Sequence, residues 1–137
     1  MAIAVLAGLT SARPADAEDL LIIANASVKI ATPLSLSQCA AIYLLRMTYW
    51  PDGTHIVPVN REVTSAARAE FTSKVLRQDG HTLAVYWNQM HYKGKLPPTV
   101  QESQQAVLAF VRNVPGAVGY ITASTVPDDV KVLARVP

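Results

Sequence analysis

Arg61 and Ser65 carry the clearest chemistry in this chain, four positions apart in the run Asn60-Arg61-Glu62-Val63-Thr64-Ser65-Ala66-Ala67-Arg68. A strand-like segment precedes the run, and an apolar helical pattern follows it. That places Arg61 just past a strand and Ser65 at the N-terminus of a helix. A helix N-terminus presents unpaired backbone N–H groups and a partial positive charge, both suited to an anion. The Ser hydroxyl adds a donor, and the guanidinium adds a planar fork that matches two oxygens of an oxyanion. Arg68, in the first helical turn, falls near any anion held at the cap. Such a site binds and releases; it needs neither metal nor catalytic base. Other roles stay open at this point. Ser65 also suits an ordinary helix cap, and Arg61 has Glu62 and Glu70 as ion-pair partners in reach.

The elements that must position these residues follow from pattern. Leu20 to Ala24 is a continuous apolar run of strand length. Ser35 and Gln38 form a capping-box pattern ahead of a helix expected to run to about Met47, with Leu36, Cys39, Ala40, Tyr43 and Met47 toward the core. Trp50-Pro51-Asp52-Gly53 is a turn. His55 to Asn60 reads as a second strand. Thr64 or Ser65 caps a helix to about Arg77, with Ala67, Phe71 and Val75 inward. Asp79 or Thr82 opens a third helix to about Tyr92, stopped at Gly94. Pro97-Pro98 enforces an extended connection. Thr99 or Ser103 caps a fourth helix ending near Asn113, with Ala106, Val107, Phe110 and Val111 buried. Pro115-Gly116 turns the chain into a strand, Ala117 to Thr122, and a last strand runs from about Val130 to Arg135. Trp50, Tyr43, Phe71, Phe110 and Tyr120 are expected in the core or at its edge. Alternating strands and helices without repeats predict an α/β fold, a mixed sheet flanked by helices in one domain.

Several of these segments stand in a telling order. Leu34-Ser35-Leu36-Ser37-Gln38 is followed by Trp50-Pro51-Asp52-Gly53, then by Val57-Pro58-Val59-Asn60-Arg61 with Ser65, Arg68 and Phe71. Tyr86-Trp87, Gly94, Pro97-Pro98 and Pro115-Gly116-Ala117-Val118-Gly119-Tyr120-Ile121 complete the series. The order resembles one lobe of the periplasmic phosphate-binding proteins, the solute receptors of phosphate ABC importers, over roughly Leu20 to Leu133. The resemblance implies a single lobe of a type II periplasmic-binding-protein fold. It also implies phosphate binding at Arg61 and Ser65, the positions that match the family's Arg and the Ser of its Ser-Gly-Thr. Ala66 and Ala67 stand where that motif has Gly and Thr, so a backbone N–H is kept at Ala66 and a hydroxyl is lost at Ala67. The receptors clamp the anion between two lobes, and the other lobe supplies further donors and an Asp. One lobe alone is expected to bind phosphate or a related oxyanion weakly. A second copy, a membrane transporter or a sensor would close the cleft. The alternative is a periplasmic interaction or sensory module that keeps the fold without tight solute binding.

Residues 1–17 look like an export signal. Ile3 to Leu9 is apolar and too short to span a bilayer, and Ala15-Asp16-Ala17 offers a small-x-small cleavage site before Glu18. The usual basic leading residues are missing, and no lipid-accepting Cys follows Leu6-Ala7-Gly8. A periplasmic mature domain, 18–137, is the expectation; an N-terminal strand is the competing reading. Half of the 137 residues are hydrophobic and 16% are charged, which fits a compact domain and argues against disorder. The net charge of +2 comes from scattered Lys and Arg, so nucleic acid is not an expected partner. One cysteine, Cys39, excludes an intrachain disulfide and reads as a buried, inert thiol. His55, His81 and His91 lack the spacing of a zinc site. No local triad signature and no placed carboxylate pair points to an enzyme, and no cofactor is implied. Asp128-Asp129 falls in a loop. Trp50, Tyr86, Trp87 and Tyr92 read as packing residues rather than a sugar platform. Gly116 and Gly119 serve backbone geometry rather than a nucleotide loop.

Overall fold

The computed structural model describes residues 18–31 and 33–137. The expected export signal lies outside them. Five strands form one mixed sheet in the order β3-β2-β4-β1-β5. They are β1 (Asp19–Asn25), β2 (Val57–Arg61), β3 (Thr99–Gln101), β4 (Ala117–Ala123) and β5 (Val130–Val136). β1 runs antiparallel to both its neighbours, β4 and β5. β2 runs parallel to β3 and to β4. The helices are α1 (Leu36–Tyr43), α2 (Ala66–Phe71), α3 (Gly80–Tyr92) and α4 (Gln104–Asn113).

The apolar run of β1 is continuous because both faces of that strand are covered. Leu20, Ile22 and Ala24 face a core shared with Ile42 and Tyr43 of α1, Ala67 and Phe71 of α2, and Tyr120. Leu21 and Ile23 face a second core with Val59, Ile121 and the Val107 and Val111 pair of α4. α4 sits close to the sheet at Gly119. A Cβ there would stand 2.7 Å from Val107 Cγ1 and 3.1 Å from Val59 Cγ1, so an alanine would have to push Val107 aside. Asn25 ties the end of α4 down by donating from Nδ2 to the carbonyls of Val111 (2.8 Å) and Arg112 (3.0 Å).

Four local expectations are corrected. α1 stops at Tyr43 rather than near Met47, because Leu45 takes a left-handed φ of 58° and the N–H groups of Arg46 and Met47 turn back to the Ala41 carbonyl. Met47 still packs against the core from outside the helix. The second strand begins at Val57, and His55 makes only an isolated bridge to Tyr49. The helix expected to reach Arg77 is α-helical only to Phe71; it widens into a π-helical turn, Thr72–Leu76, and ends at a left-handed Arg77. Thr99 is not a cap but the first residue of β3, paired with Val59, while Ser103 caps α4.

Among the expected core aromatics, Tyr43, Trp50, Phe71 and Tyr120 are buried, and Phe110 packs half-buried at the edge of the second core. Phe71 stacks on Tyr120 with centroids 4.1 Å apart and meets Tyr43 edge-on at 4.6 Å. Trp50 donates its indole N–H to the Gly116 carbonyl at 3.0 Å. Cys39 is buried, and desolvation pushes its thiol up to about 11.

Candidate functional site

β2 ends at Arg61, beside Gln101 at the end of its parallel neighbour β3. The chain leaves β2 over the face that packs α2, and leaves β3 over the opposite face through α4. Two adjacent parallel strands whose connections depart to opposite sides open a crevice at their carboxyl ends, where ligands of open α/β sheets bind. The Arg61–Arg68 run lies at that crevice.

The connection is held shut on itself. Ser65 donates its N–H to the Glu62 carbonyl at 3.0 Å. Its hydroxyl caps α2 by accepting the Arg68 N–H at 3.3 Å, and the residue is 7% exposed. Arg68 Nη1 donates to the Arg61 carbonyl at 2.7 Å. Tyr120 reaches up from the aromatic core; its hydroxyl donates to Asn60 Oδ1 and accepts the Arg61 N–H at 3.4 Å. Burial pushes the Tyr120 hydroxyl up to about 12, so it stays a neutral donor.

Arg61, Ser65, Ala66, Ala67 and Arg68 are thus gathered around one helix start. Ala66 is exposed, and its N–H with that of Ala67 belongs to the first turn, which lacks intrahelical acceptors. Ala67 is buried: its methyl joins the core instead of facing the crevice. The Arg61 fork, however, is closed by its neighbour. Nε donates to Glu62 Oε2 and Nη2 to Glu62 Oε1, each at 3.0 Å. The Arg61 side chain is only 13% exposed and that of Glu62 27%. This bidentate bond holds the Glu62 carboxyl below the usual carboxylate range. The Glu62 carboxylate therefore occupies the geometry an oxyanion would take on that guanidinium. Among the described residues no carboxylate lies within 4.0 Å of the Arg68 guanidinium, so two guanidiniums and one carboxylate leave a net positive charge at the crevice.

Residue patterns missed two partners of this site. Asn60 and the Tyr120 hydroxyl support the Arg61 backbone, a pairing that arises only because β4 lies against β2. The second is α3. Trp87 and Leu83 of α3 line a cleft of about 530 Å³ together with Arg68 and Thr72, and the same four residues line a second cleft of about 190 Å³ that Pro97 and Pro98 also border. Among the described residues, no group of three His, Cys, Asp or Glu is placed to hold a metal ion, and no helix is long and apolar enough to cross a membrane.

Comparison with solved structures places this fold. The chain superposes on a phosphate ABC transporter substrate-binding protein from Clostridium perfringens, solved with bound phosphate, with a TM-score of 0.67 and 21% identity. An ABC-type phosphate transport receptor from Vibrio cholerae matches with a TM-score of 0.66 and 22% identity. PstS from Borrelia burgdorferi matches at 0.58 and 19%. The first two matches cover 87% of this chain but only 45% and 46% of those proteins. The fold is that of a single lobe of the phosphate receptors, and the chain spans less than half their length. No protein-family model and no curated protein sequence matches the chain.

Proposed function

We propose that this chain is half of an oxyanion clamp: an exported, non-enzymatic domain that holds phosphate or a related oxyanion at the β2–α2 connection. The observation that carries this reading is the convergence of Arg61 and Arg68 on the start of α2 at the switch point of the sheet. Arg61 and Arg68 supply charge, and the N–H groups of Ala66 and Ala67 supply aligned donors beside the Ser65 cap. A charge-assisted hydrogen bond is worth roughly 1.5–3 kcal/mol when well made, but an open site is wet and screened. Millimolar to high-micromolar affinity is the expectation for the chain alone. A second copy, a membrane transporter or a sensor that covers the crevice would exclude water and raise it. Retrieval from a periplasmic extract of a form lacking the first 17 residues would support export.

Calorimetric titration of the purified protein with phosphate and with sulfate tests the reading. Heat with phosphate that disappears in Arg61→Ala and persists in Arg135→Ala supports it. Glu62→Gln should tighten binding about three- to fivefold, since a partly exposed ion pair is worth up to about 1 kcal/mol. No heat at millimolar anion, in either the parent or Glu62→Gln, rejects it.

The Glu62 carboxylate already seated on Arg61 favours a second reading. Here the lobe has kept the fold as an interaction or sensory module and fills its anion position with its own side chain. Capture of one defined periplasmic partner, undisturbed by phosphate and by Arg61→Ala, would select it.

A further inference from the structure

α3 touches the body lightly, with Met90 as its one buried residue, and its C-terminal end carries a chemistry unlike that of the crevice. The helix closes through a backbone turn. Gly94 takes a φ of 75° and donates its N–H to the His91 carbonyl at 2.9 Å, while the Lys95 N–H donates to the Met90 carbonyl at 3.0 Å. This pairing is a Schellman closure, so the tip Tyr92-Lys93-Gly94-Lys95-Leu96 is built rather than frayed. Tyr92, expected from the sequence to pack, is 91% exposed, and Leu96 is 71% exposed. Four of the seven exposed large hydrophobics among the described residues, Val85, Tyr92, Leu96 and Val100, fall in this one stretch. Exposed apolar side chains gathered in one place mark an interaction site. The charge beside them is one-sided. Residues 80–101 contain no Asp or Glu, while Lys93 and Lys95 flank the glycine. Asp79 is engaged as the cap at the opposite end of α3. No carboxylate of the described residues lies within 4.0 Å of either lysine.

We propose that this tip is a membrane contact: Tyr92 and Leu96 enter the interface of an anionic bilayer, and Lys93 and Lys95 pair with its phosphate headgroups. Charge complementarity chooses the surface, because two ammoniums with no acid beside them are drawn to an anionic leaflet. Shape chooses lipid over protein. Side chains this exposed on a fixed turn project from the surface, and a fluid interface closes round them without a matched pocket. A tyrosine, with an apolar ring and a polar hydroxyl, belongs at headgroup level. Lysine stems lie along the apolar boundary and leave the ammonium among the headgroups. Binding of this kind sums apolar burial and attraction to anionic lipid. With two apolar side chains and two charges the contact is weak and reversible. It stands apart from the oxyanion reading, since no residue of the β2–α2 connection takes part.

Co-sedimentation of the purified full chain with vesicles tests this, using phosphatidylcholine alone and phosphatidylcholine mixed with phosphatidylglycerol. The chain should sediment with the mixed vesicles, bind phosphatidylcholine about twentyfold more weakly, and leave the mixed vesicles in molar salt. Lys93→Gln combined with Lys95→Gln should weaken binding to mixed vesicles about twentyfold, near fivefold per lysine. Tyr92→Ser combined with Leu96→Ser should weaken it about tenfold or more. All four side chains are exposed, so both pairs should keep the parent's Tm. Unchanged binding in either pair overturns the proposal; residues 1–17 or another surface would then hold the vesicle. Equal binding to the two vesicle types, or none to the mixed ones, overturns it too. Millimolar inorganic phosphate at constant ionic strength should leave the protein bound, and release would assign the contact to a free-phosphate site instead. A dimer that dissolves in Tyr92→Ser would put protein rather than lipid on the tip and would also overturn it.

Discussion

Phe71→Ala is the most informative single change, because Phe71 joins the core to the crevice. Its side chain is 0% exposed. One face stacks on Tyr120 at 4.1 Å with the rings 4° from parallel, and Tyr43 meets it edge-on. Removing a fully buried Phe ring costs about 3–5 kcal/mol, the upper part of that range where neighbours cannot collapse into the space. Collapse is hindered here. Tyr43 is held by its hydroxyl donating to the Val59 carbonyl at 2.8 Å, and Tyr120 is held by Asn60. A loss of about 4 kcal/mol is therefore expected. In a domain of this size that lowers Tm by roughly 12–16 °C, and it is a large fraction of the roughly 5–15 kcal/mol that holds a domain folded. Thermal unfolding followed by far-UV circular dichroism measures it, with Phe110→Ala, half-buried at the edge of the other core, as a milder comparison. A second readout follows from the same geometry. Tyr120 loses its stacking partner, so its bond to Asn60 and the Arg61 N–H should loosen, and amide exchange at Arg61 should speed up more than at Leu21. A Tm shift below about 4 °C, or one no larger than that of Phe110→Ala, would refute the packing argument.

Three further outcomes are expected. Gly119→Ala should destabilise by about 1–3 kcal/mol through overpacking, because the new Cβ would fall 2.7 Å from Val107 Cγ1; adding Val107→Ala should recover part of the loss in denaturant titrations, and a neutral Gly119→Ala would disprove the close approach of α4. Stability should fall above about pH 9. Cys39 is raised from 9.0 to about 11 and Tyr120 from 10.0 to about 12, both first by burial, so the unfolded chain releases these protons at lower pH than the folded one. Melts at increasing pH should show the decline, and Cys39→Ala should remove the part that begins nearest pH 9. At pH 8 the Cys39 thiol should resist a disulfide reagent in the native protein and react fully once urea unfolds it, since it is 1% exposed; rapid native labelling would contradict its burial.

The sequence by itself determined the types of the longer elements and most of the inward residues. Local chemistry carried that information. Ser35 with Gln38, Ser65, Asp79 and Ser103 are caps whose side chains bond backbone N–H groups three residues on, so each marks a helix start unaided. The continuous apolar run Leu20–Ala24, of strand length, pointed to a buried strand, and β1 is buried on both faces. Order along the chain placed the resemblance to a phosphate-receptor lobe, and the superposition bears out that fold. Tertiary structure alone decided the rest. β3 is three residues long and exists because β2 offers an open parallel edge, a partner that no local pattern reveals. The end of α1 and the π-helical turn after Phe71 follow from backbone turns at Leu45 and Arg77, residues with no intrinsic preference for a left-handed φ. Arg61 had Glu62, Glu70 and solvent as alternatives in the sequence. Only the folded β2–α2 connection brings both Glu62 oxygens to 3.0 Å from its guanidinium and sets Arg68, bonded to the Arg61 carbonyl, on the same cleft as Trp87, because side-chain pairing depends on where two elements meet in space.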